Sequence, residues 1–504
     1  MLSKIYTAAL IGVDAQIIEV EVDIQRGIHK FFIVGLADKA IQESKERVTS
    51  AIKNSNVDFV YKRITVNLAP ADIPKTGPSY DFPIALGILS ASGQLDFNFS
   101  DCLLVGELSL KGTLKRLNGI LSIAHKASKL GFKKLFVPID NANEASILKN
   151  LAVFPVKTLD QFVEFTTNQR LIKPHIYTPP GSQNILNFEN DMRDVKGQNQ
   201  AKYALEISAA GSHNILMTGV PGSGKTFLAK TLPSILPEMT LEESIAVTKI
   251  HSAVGLVDPH NPLVVKRPFR CPHHTSSNVA LVGGGNLPKP GEISIAHRGI
   301  LFLDEFPEFS RSALESLRQP IEDRHVTISR ASGSLKFPAN FVLVAAMNPC
   351  KCGFRGDPDK QCTCSQKDIE YYKKKVSGPI LDRLDLQIFL HKVKYKQLED
   401  EKIQESSSIV RNRVQNARNM QISRYRNIKI VSNSQLKQKY IYKYITLDRQ
   451  SKQILKKAVD RLNLSARSYY KILKVSRTIA DLEQKENVDS SHITKALSFR
   501  LEEF

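Results

Sequence analysis

Apolar and polar residues alternate at the start of the chain. The stretch IIEVEVDI, residues 17–24, has the two-residue period of a half-buried strand. The runs FFIVGLA at 31–37 and RITVNLAP at 63–70 predict further strands, and residues 38–54 have the spacing of a helix. Because strand and helix patterns continue to alternate through LLVGELSL and KKLFVPI, residues 1–167 are predicted to form an α/β domain.

The rest of the chain divides by composition into three further parts. A polar, proline-containing stretch predicts a linker over residues 168–190. A second α/β pattern occupies residues 191–393, and residues 394–504 are mainly helical and basic in pattern. A length of 504 residues is too great for one core, because single domains usually hold about 150 residues.

The most specific chemical motif is GVPGSGKT, which lies between the apolar run NILMTG and the helical pattern TFLAKTL. Glycines in such a loop let backbone N–H groups turn towards phosphate oxygens, and the following helix adds its dipole. The lysine reaches the β- and γ-phosphates, and the threonine hydroxyl binds Mg²⁺. The predicted nucleotide-binding residues are Gly219, Val220, Pro221, Gly222, Ser223, Gly224, Lys225 and Thr226.

A second motif, GILFLDEF, supplies the acidic half of a nucleotide site. Its apolar residues predict a buried strand that ends in Asp304 and Glu305. Asp304 is predicted to hold Mg²⁺ together with Thr226, and Glu305 to polarise the attacking water. A buried strand that delivers two acids downstream of an intact phosphate loop predicts an ATPase.

Three further polar residues lie at the ends of predicted elements. Asn348 follows the buried run FVLVAAM, where ATPases of the AAA+ class contact the γ-phosphate and the water. Arg383 lies in SGPILDRLDLQIFL, where these ATPases place a finger that enters a neighbouring subunit's site. Arg467 begins an amphipathic helix and fits the lid arginine that senses phosphate.

Four of the six cysteines fall within residues 350–364. Cys350, Cys352, Cys362 and Cys364 form two C-x-C pairs separated by nine residues, and four thiolates suffice for a tetrahedral zinc ion. A structural zinc site is predicted, and reduced core cysteines or a redox switch remain as alternatives. The sequence CPHH at 271–274 lacks a fourth ligand, so ordinary polar packing is predicted for His273 and His274.

Composition bears on the cellular location of the protein and on its net charge. No apolar run reaches the roughly 18 residues that cross a bilayer, and no signal peptide is evident, so a cytoplasmic protein with reduced thiols is predicted. The formal net charge of +20 favours a polyanionic partner such as nucleic acid. A lysine-rich composition explains the same charge without any partner, so charge alone decides little. The basic segment 411–430 is likewise predicted to be a helix with a cationic face, and that face either contacts DNA or is solvated.

In its motifs the chain resembles the magnesium-chelatase-like AAA+ ATPases of the YifB/ComM family. The resemblance rests on the nucleotide motifs in order and on RPFRCPHHTSSNVALVGGG, PGEISIAHRGILFLDEFPEF and NPCKCG. It implies a Lon-protease-like α/β N-terminal domain, an AAA+ P-loop core and an α-helical C-terminal lid. It also implies homo-hexameric rings that use ATP and Mg²⁺ as DNA helicases, acting on single-stranded or branched DNA and driving branch migration in natural transformation.

The same resemblance points to candidate DNA contacts. The glycines of NVALVGGGNLPKPGEI allow close backbone approach, and VTISRASGSLKF is predicted to form a hairpin with Gly333 at its turn. Ordinary packing within a ring is an equal alternative for each of these residues. The DNA-contact candidates are Gly283, Gly284, Gly285, Lys289, Arg330 and Lys336.

The N-terminal domain resembles Lon-type proteases around Ser79, which stands where their nucleophile stands. Such a serine needs a lysine base, but the matching position is Leu121, and Lys115 and Lys126 are out of register. A Lon-like fold without peptidase activity is therefore predicted. An ATP-dependent protease and a chelatase motor subunit for metal insertion are the alternative functions.

Overall fold

A computed structural model describes residues 2–36, 38–177, 188–285, 288–330, 333–393, 399 and 404–500. None of the helices in these ranges has the length and apolar character needed to span a bilayer. The chain forms two compact units: unit 1 is Met1–Ser182 with Ser244–Val264, and unit 2 is Gln183–Glu243 with Val265–Phe504. The predicted α/β class with a helical C-terminal region is confirmed, whereas the predicted boundaries at residues 167, 190 and 393 stay predictions.

Unit 1 is built on a twisted mixed sheet. The strands of unit 1 are β1 (Leu2–Ile11), β2 (Asp14–Gln25), β3 (Lys30–Val34), β4 (Arg63–Ala69), β5 (Cys102–Leu104), β6 (Glu107–Leu108), β7 (Leu114–Lys115), β8 (Lys134–Pro138) and β9 (Ala152–Val156). Strands β6 and β7 form a separate pair. Seven of them pair in the order β3-β4-β2-β1-β5-β8-β9. The predicted alternation in β2 is confirmed, because Ile18, Val20 and Val22 are fully buried. Each such side chain contributes about 1.5–3 kcal/mol on burial.

Helices pack on both faces of this sheet. They are α1 (Lys39–Lys53), α2 (Asp81–Ala91), α3 (Ile120–Lys129), α4 (Ala142–Ala145) and α5 (Leu159–Thr166). Helix α2 packs against residues such as Ile5 and Val20 on one face, and α3 packs against Ala8 and Leu103 on the other. Helix α2 is apolar on all sides and almost completely buried, as its composition requires. A Cβ at Gly87 would lie 2.6 Å from Val22 Cγ2, so glycine allows this helix to approach β2 closely.

A segment from the middle of the chain, residues 244–264, also packs in unit 1. It contains most of α8 (Leu241–Ala253). The N–H of Gly119 donates to the Ser252 carbonyl at 3.2 Å and to its hydroxyl at 2.8 Å. Arg116 Nη2 donates to the Val257 carbonyl at 2.7 Å. The sequence pattern gave no indication of this long-range packing.

Unit 2 contains a parallel five-stranded sheet in the order β11-β14-β17-β10-β18. The strands are β10 (Ile215–Gly219), β11 (Phe269–Arg270), β14 (Ile300–Leu303), β17 (Val342–Met347) and β18 (Leu386–Leu390). The residues of β10, β14 and β17 are all buried, as expected for a parallel sheet covered on both faces. Because the strands are parallel, their carboxyl ends meet at one edge, where ligands usually bind.

The remaining elements of unit 2 surround this sheet. Two small antiparallel pairs are β12 (Gly283–Gly284) with β13 (Lys289–Pro290) and β15 (His325–Arg330) with β16 (Gly333–Pro338). The helices are α6 (Asn199–Gly211), α7 (Lys225–Thr231), α9 (Asn278–Val282), α10 (Glu292–Ile295), α11 (Arg311–Ser316), α12 (Arg318–Asp323), α13 (Gln366–Lys374) and α14 (Gly378–Leu381). The C-terminal helices are α15 (Ser407–Arg424), α16 (Gln438–Tyr444), α17 (Arg449–Leu462), α18 (Ala466–Leu482) and α19 (Ser490–Ser498).

The C-terminal helices use the basic residues of segment 411–430 internally. Arg413 pairs with Glu206 at 2.7 Å, and Arg424 pairs with the buried carboxylate of Asp481 at 2.6 Å. Arg418 is buried and donates to the carbonyls of Ala209 and Ala210. This segment was predicted to be either a DNA-binding or a solvated cationic face. Its arginines instead attach α15 to the rest of unit 2.

Candidate active site

The phosphate loop connects β10 to α7 at the carboxyl edge of the sheet. Gly222 and Gly224 have φ values of +77° and +88°, which favour glycine. A Cβ at Gly219 would lie 2.7 Å from the Leu390 carbonyl oxygen of the neighbouring strand. The loop therefore requires glycine at these positions for its conformation, independently of any nucleotide.

Lys225 lies inside this loop. Its Nζ donates to the carbonyls of Gly219 at 2.7 Å and Val220 at 3.1 Å, and to Asn348 Oδ1 at 3.1 Å. Burial lowers the pKa of Lys225, and the nearby Asp304 carboxylate opposes that shift. The structure thus brings together two residues that the sequence pattern predicted separately, Lys225 and Asn348.

The acidic motif lies directly beside the loop. Thr226 Oγ1 donates to Asp304 Oδ2 at 2.7 Å, so the two predicted Mg²⁺ ligands are already in contact. The N–H of Glu305 donates to Asp304 Oδ1 at 2.9 Å, and Glu305 has a left-handed φ of +49°. A hydroxyl and a carboxylate are oxygen ligands of the kind Mg²⁺ prefers, so these residues fit that ion.

His274 is a member of this site that the sequence reasoning missed. Its Nδ1 lies 3.1 Å from Glu305 Oε2, and its ring lies against that of His273, tilted by 33° with 4.2 Å between centroids. Strand β11 pairs in parallel with β14, so the residues after β11 reach the residues after β14. The sequence signal for this contact would have been a histidine just after a strand of the same sheet. That strand, β11, has only two residues, so its hydrophobic pattern is weak.

The four-cysteine cluster follows β17 and Asn348. Cys350 Sγ lies 3.4 Å from Cys352 Sγ, and each of these atoms lies 3.6 Å from Cys362 Sγ. All four Sγ atoms, including that of Cys364, lie within 4.8 Å of one another. Thiolates around a tetrahedral zinc ion at about 2.3 Å are about 3.8 Å apart, so this cluster fits zinc in spacing and chemistry.

The thiol groups differ in acidity. Burial raises the pKa of Cys350. Burial opposes ionisation of Cys352 as well, but N–H groups of Phe354 and Thr363 lower the pKa of that thiol to about 6. A thiol that ionises readily is a good metal ligand.

The cysteine loop packs against the phosphate loop. A Cβ at Gly353 would lie 2.9 Å from Pro221 Cγ, and Gly353 has a φ of +86°. Within the same loop, Gly356 also has a positive φ, +79°, but its nearest neighbour is the Phe389 ring at 3.4 Å. The conformation of the cysteine cluster is therefore linked to the nucleotide site through one close contact.

The two predicted catalytic arginines lie at the amino edge of the sheet, where its parallel strands begin. Arg383 precedes β18, and its backbone carbonyl accepts from Asn214, which precedes β10. Glu322 Oε1 accepts from Arg383 at 2.8 Å and from Arg467 at 3.3 Å. Both arginines line a cavity of about 240 Å³. Since β10 spans five residues at about 3.3 Å each, this cavity is roughly 15 Å from the phosphate loop of the same chain.

The DNA-contact candidates lie on two adjacent ribbons. Gly284 pairs with Lys289, and a Cβ at Gly283 would lie 3.1 Å from Ile328 Cδ1 of β15. Gly285 and Lys289 are exposed, as is Lys336 on β16. The predicted hairpin is present, and Gly333 pairs with Arg330 at its last register position. Residues 331–332 and the Arg330 side chain lie outside the described part of the chain.

The protease-like residues of unit 1 have structural partners. Leu121 is fully buried in α3, and its N–H donates to the Glu144 carboxylate at 2.9 Å. Glu144 also accepts from the hydroxyl of Ser252. The Ser79 carbonyl accepts from the Gly106 N–H at 3.1 Å. The position of the expected lysine is thus occupied by a core leucine.

Three parts of the chain match one family of proteins. Residues 191–398 match the family described as magnesium chelatase, subunit ChlI, and residues 20–141 match subunit ChlI of Mg-chelatase. Residues 404–500 match magnesium chelatase, subunit ChlI C-terminal.

Full-length relatives extend this match. The chain is 42% identical to Competence protein ComM of Haemophilus influenzae over 507 residues, covering 99% of this chain and 97% of that protein. It is 39% identical to the protein YifB of Escherichia coli over 502 residues, covering 99% and 97%. A Lon protease of Mesomycoplasma hyopneumoniae is 29% identical over 162 residues, which are 31% of this chain and 18% of that protein.

Proposed function

The chain belongs to the magnesium-chelatase-like YifB/ComM family, and from that premise we propose that it is an ATP-driven hexameric motor that moves DNA strands. Membership of this family implies ATPase activity and the use of ATP and Mg²⁺. The relative ComM is named for competence, which favours a role in competence or recombination. The observation that carries the proposal is the contact of Lys225 with Asn348 and of Thr226 with Asp304 at one sheet edge.

Nucleotide binding is assigned to the phosphate loop. Lys225 would hold the β- and γ-phosphates, and the loop N–H groups between Gly219 and Thr226 would surround them. Thr226 and Asp304 would hold Mg²⁺, which supplies charge neutralisation on the phosphates when it is bound.

Hydrolysis is assigned to the residues next to this loop. Glu305 would accept the proton of the attacking water, and Asn348 would orient that water. His274 contacts the Glu305 carboxylate and would limit its availability as a base. Each of these groups comes from the end of a different strand, so the sheet sets their spacing.

The sheet's amino edge supports a ring assembly. Arg383 and Arg467 are too far from the phosphate loop of their own chain to contact its nucleotide. We assign both to the nucleotide of a neighbouring copy, where Arg383 would act as the finger and Arg467 would sense phosphate. Repetition of this head-to-tail contact closes a ring, for which the family suggests six copies.

DNA contact is assigned to the two adjacent ribbons of unit 2. The exposed Lys289 and Lys336 would contact phosphates, while Gly283, Gly284 and Gly285 would let the backbone approach the strand. Movement of these ribbons during hydrolysis would make the protein a helicase that promotes branch migration in recombination or natural transformation.

A structural zinc ion is the second part of the proposal. The four Sγ atoms have the spacing that a tetrahedral site needs, and no position is left open for chemistry. We expect about one zinc per chain in freshly purified protein, with loss of the metal in Cys352→Ser and retention in Cys271→Ser. Less than about half an equivalent in the wild type would contradict this assignment.

Unit 1 is assigned a non-proteolytic role. A Ser79 nucleophile would need a lysine base, and the equivalent position is the buried Leu121. Cleavage of labelled casein should be near zero and equal in the wild type and Ser79→Ala. Greater cleavage by the wild type would favour the protease alternative.

The motor is tested by unwinding of a forked or branched duplex with ATP and Mg²⁺. The wild type should separate the strands, its ATPase rate should rise with DNA, and Lys225→Ala should do neither. Stimulation of the ATPase by a porphyrin but not by DNA would favour a chelatase motor subunit. An ATPase rate unchanged by any DNA form, without strand separation, would reject the motor.

A further inference from the structure

A cluster of cations and rings lies at one corner of unit 1. It combines the β2–β3 turn, the end of α1 and the start of β4, next to the edge strand β3. We call it the basic aromatic corner and define it by His29, Lys30, Lys53, Tyr61, Lys62 and Arg63. Register and contacts make it continuous, because Lys30 pairs with Arg63 and His29 Nδ1 lies 3.1 Å from the Lys62 carbonyl.

Tyr61 has ring contacts on one side and yet remains open to solvent. Its ring packs edge-on against the buried Phe59 at 5.4 Å and against His29 at 5.6 Å, while 63% of the residue is exposed. The Lys53 ammonium lies 5.1 Å from the same ring. A ring packed in this way loses little conformational entropy when a flat partner stacks on it.

The charged groups around this ring are almost all positive. Lys30, Lys53, Lys62 and Arg63 are exposed, and none has an ion-pair partner in the described ranges of the chain. Arg26 adds a fifth cation at the adjoining turn, and Asp58 is the single acid in segments 26–30 and 57–63. By contrast, Arg413 and Arg424 in unit 2 are paired with carboxylates. The corner therefore has uncompensated positive charge that suits a polyanion.

An exposed aromatic ring among free cations is the arrangement that binds single-stranded nucleic acids. Bases stack on the ring and phosphates meet the cations, whereas bases within a duplex are already stacked and cannot use the ring. We propose that the basic aromatic corner binds single-stranded nucleic acid, with a base stacked on Tyr61. The strand is the one that the proposed motor would separate, so the inference rests on the proposed function for its substrate.

The test measures binding of fluorescent oligothymidylate to the full chain by anisotropy at several salt concentrations. Tyr61→Ala should weaken binding about five- to hundredfold, and Tyr61→Phe should restore it, because a stacked base contributes about 1–3 kcal/mol. The double variant Lys53→Glu/Lys62→Glu should also reduce the log–log salt slope by about 0.7 per lost phosphate contact. Duplex DNA should bind Tyr61→Ala as it binds the wild type.

A matched control places the same charge change elsewhere in unit 1. Lys111→Glu/Lys149→Glu alters two exposed lysines outside the corner and should change affinity far less than the corner variant. Equal losses in both double variants, or unchanged affinity in Tyr61→Ala, would overturn the proposal. Displacement of bound oligothymidylate by an acidic peptide as readily as by DNA would overturn it in favour of a protein partner.

These experiments distinguish a failure of the basic aromatic corner from a failure of the proposed motor. If strands are never unwound but Tyr61→Ala still loses affinity, the motor fails and the corner stands. If unwinding by Tyr61→Ala matches the wild type and its affinity is unchanged, the corner fails and the motor stands. The DNA-free ATPase rate of all corner variants should equal that of the wild type, because these residues lie outside the ATPase site.

Discussion

The two edges of the sheet in unit 2 differ in how their polar groups are partnered. At the carboxyl edge, Lys225 bonds to Asn348 and Thr226 bonds to Asp304, so this half is assembled within one chain. At the amino edge, Arg383 and Arg467 share one carboxylate, that of Glu322, beside an open cavity of about 240 Å³. On the proposed function, the carboxyl edge would bind a triphosphate, and the amino edge presents cations that would act on the phosphate of another copy.

The difference teaches which part of the chemistry a single chain can perform. Binding needs only the carboxyl edge, since the phosphate loop and its acidic partner are in contact. On the proposed function, rate enhancement by a finger would need the amino edge of another copy, because the two edges of one sheet are roughly 15 Å apart. Nucleotide binding and rapid hydrolysis should therefore respond differently to substitutions at the two edges.

The largest expected effect is that of Arg383→Ala. Loss of a finger that neutralises the transferring phosphoryl group should lower kcat by about 10³–10⁵-fold. ATP affinity should stay within a few-fold of the wild type, because Arg383 does not contact the phosphate loop of its own chain. Stopped-flow binding of a fluorescent ATP analogue and a phosphate-release assay would measure both quantities. A large loss of ATP affinity with an unchanged kcat would break the comparison.

A mixing experiment makes this prediction specific to a shared site. Rings assembled from equal amounts of Arg383→Ala and Glu305→Gln chains contain some interfaces with both residues intact. Random assembly places an intact pair at about a quarter of the interfaces, so activity should recover to that order. Mixtures as inactive as either variant alone would mean that both residues serve the same chain.

The next effect in size is that of Glu305→Gln. Removal of a general base should lower kcat by about 10²–10⁴-fold while ATP still binds, because the amide keeps the shape of the side chain. Size-exclusion chromatography with ATP should then show a ring that persists, since the bound nucleotide is not consumed. Lys225→Ala is the contrasting variant and should lose ATP binding itself.

Local patterns accounted for much of what the structure contains. The alternation in β2 and the buried runs of β10, β14 and β17 are properties of neighbouring residues, and the phosphate loop is one contiguous motif. Such features depend on side-chain periodicity and on glycine conformations, which a sequence displays directly. For the same reason the resemblance to the family could be seen before the fold was known.

Contacts between distant parts of the chain could not be predicted from those local patterns. The ion pair of Arg413 with Glu206 joins residues 207 positions apart, and the contact of His274 with Glu305 depends on strand order. The packing of residues 244–264 in unit 1 likewise follows from topology. A basic segment such as 411–430 cannot be assigned to solvent, DNA or internal pairs until its partners are known.

A smaller effect is expected at the contact between the cysteine loop and the phosphate loop. In Gly353→Ala, the new Cβ would lie 2.9 Å from Pro221 Cγ, and overpacking of this kind costs about 1–3 kcal/mol. If nucleotide binding requires Pro221 in its present place, ATP affinity should fall about five- to hundredfold while zinc content stays unchanged. Gly356→Ala has the same backbone strain without the Pro221 contact and should bind ATP as the wild type does. Equal losses in both variants would show that loop strain alone is responsible.

The smallest effect is predicted for His274, and it has the opposite sign. Its Nδ1 lies 3.1 Å from Glu305 Oε2, so this contact occupies a carboxylate oxygen that would otherwise be available to the attacking water. Since a half-exposed pair contributes about 0.4–1 kcal/mol, His274→Ala should raise the DNA-free ATPase rate about two- to fivefold. His273→Ala is the matched comparison, because His273 contacts Thr275 and the His274 ring but not Glu305, and it should change the rate less than His274→Ala does. A lower rate in His274→Ala would mean that the histidine positions Glu305 for catalysis, and the carboxyl edge would then be fully assembled before any DNA arrives.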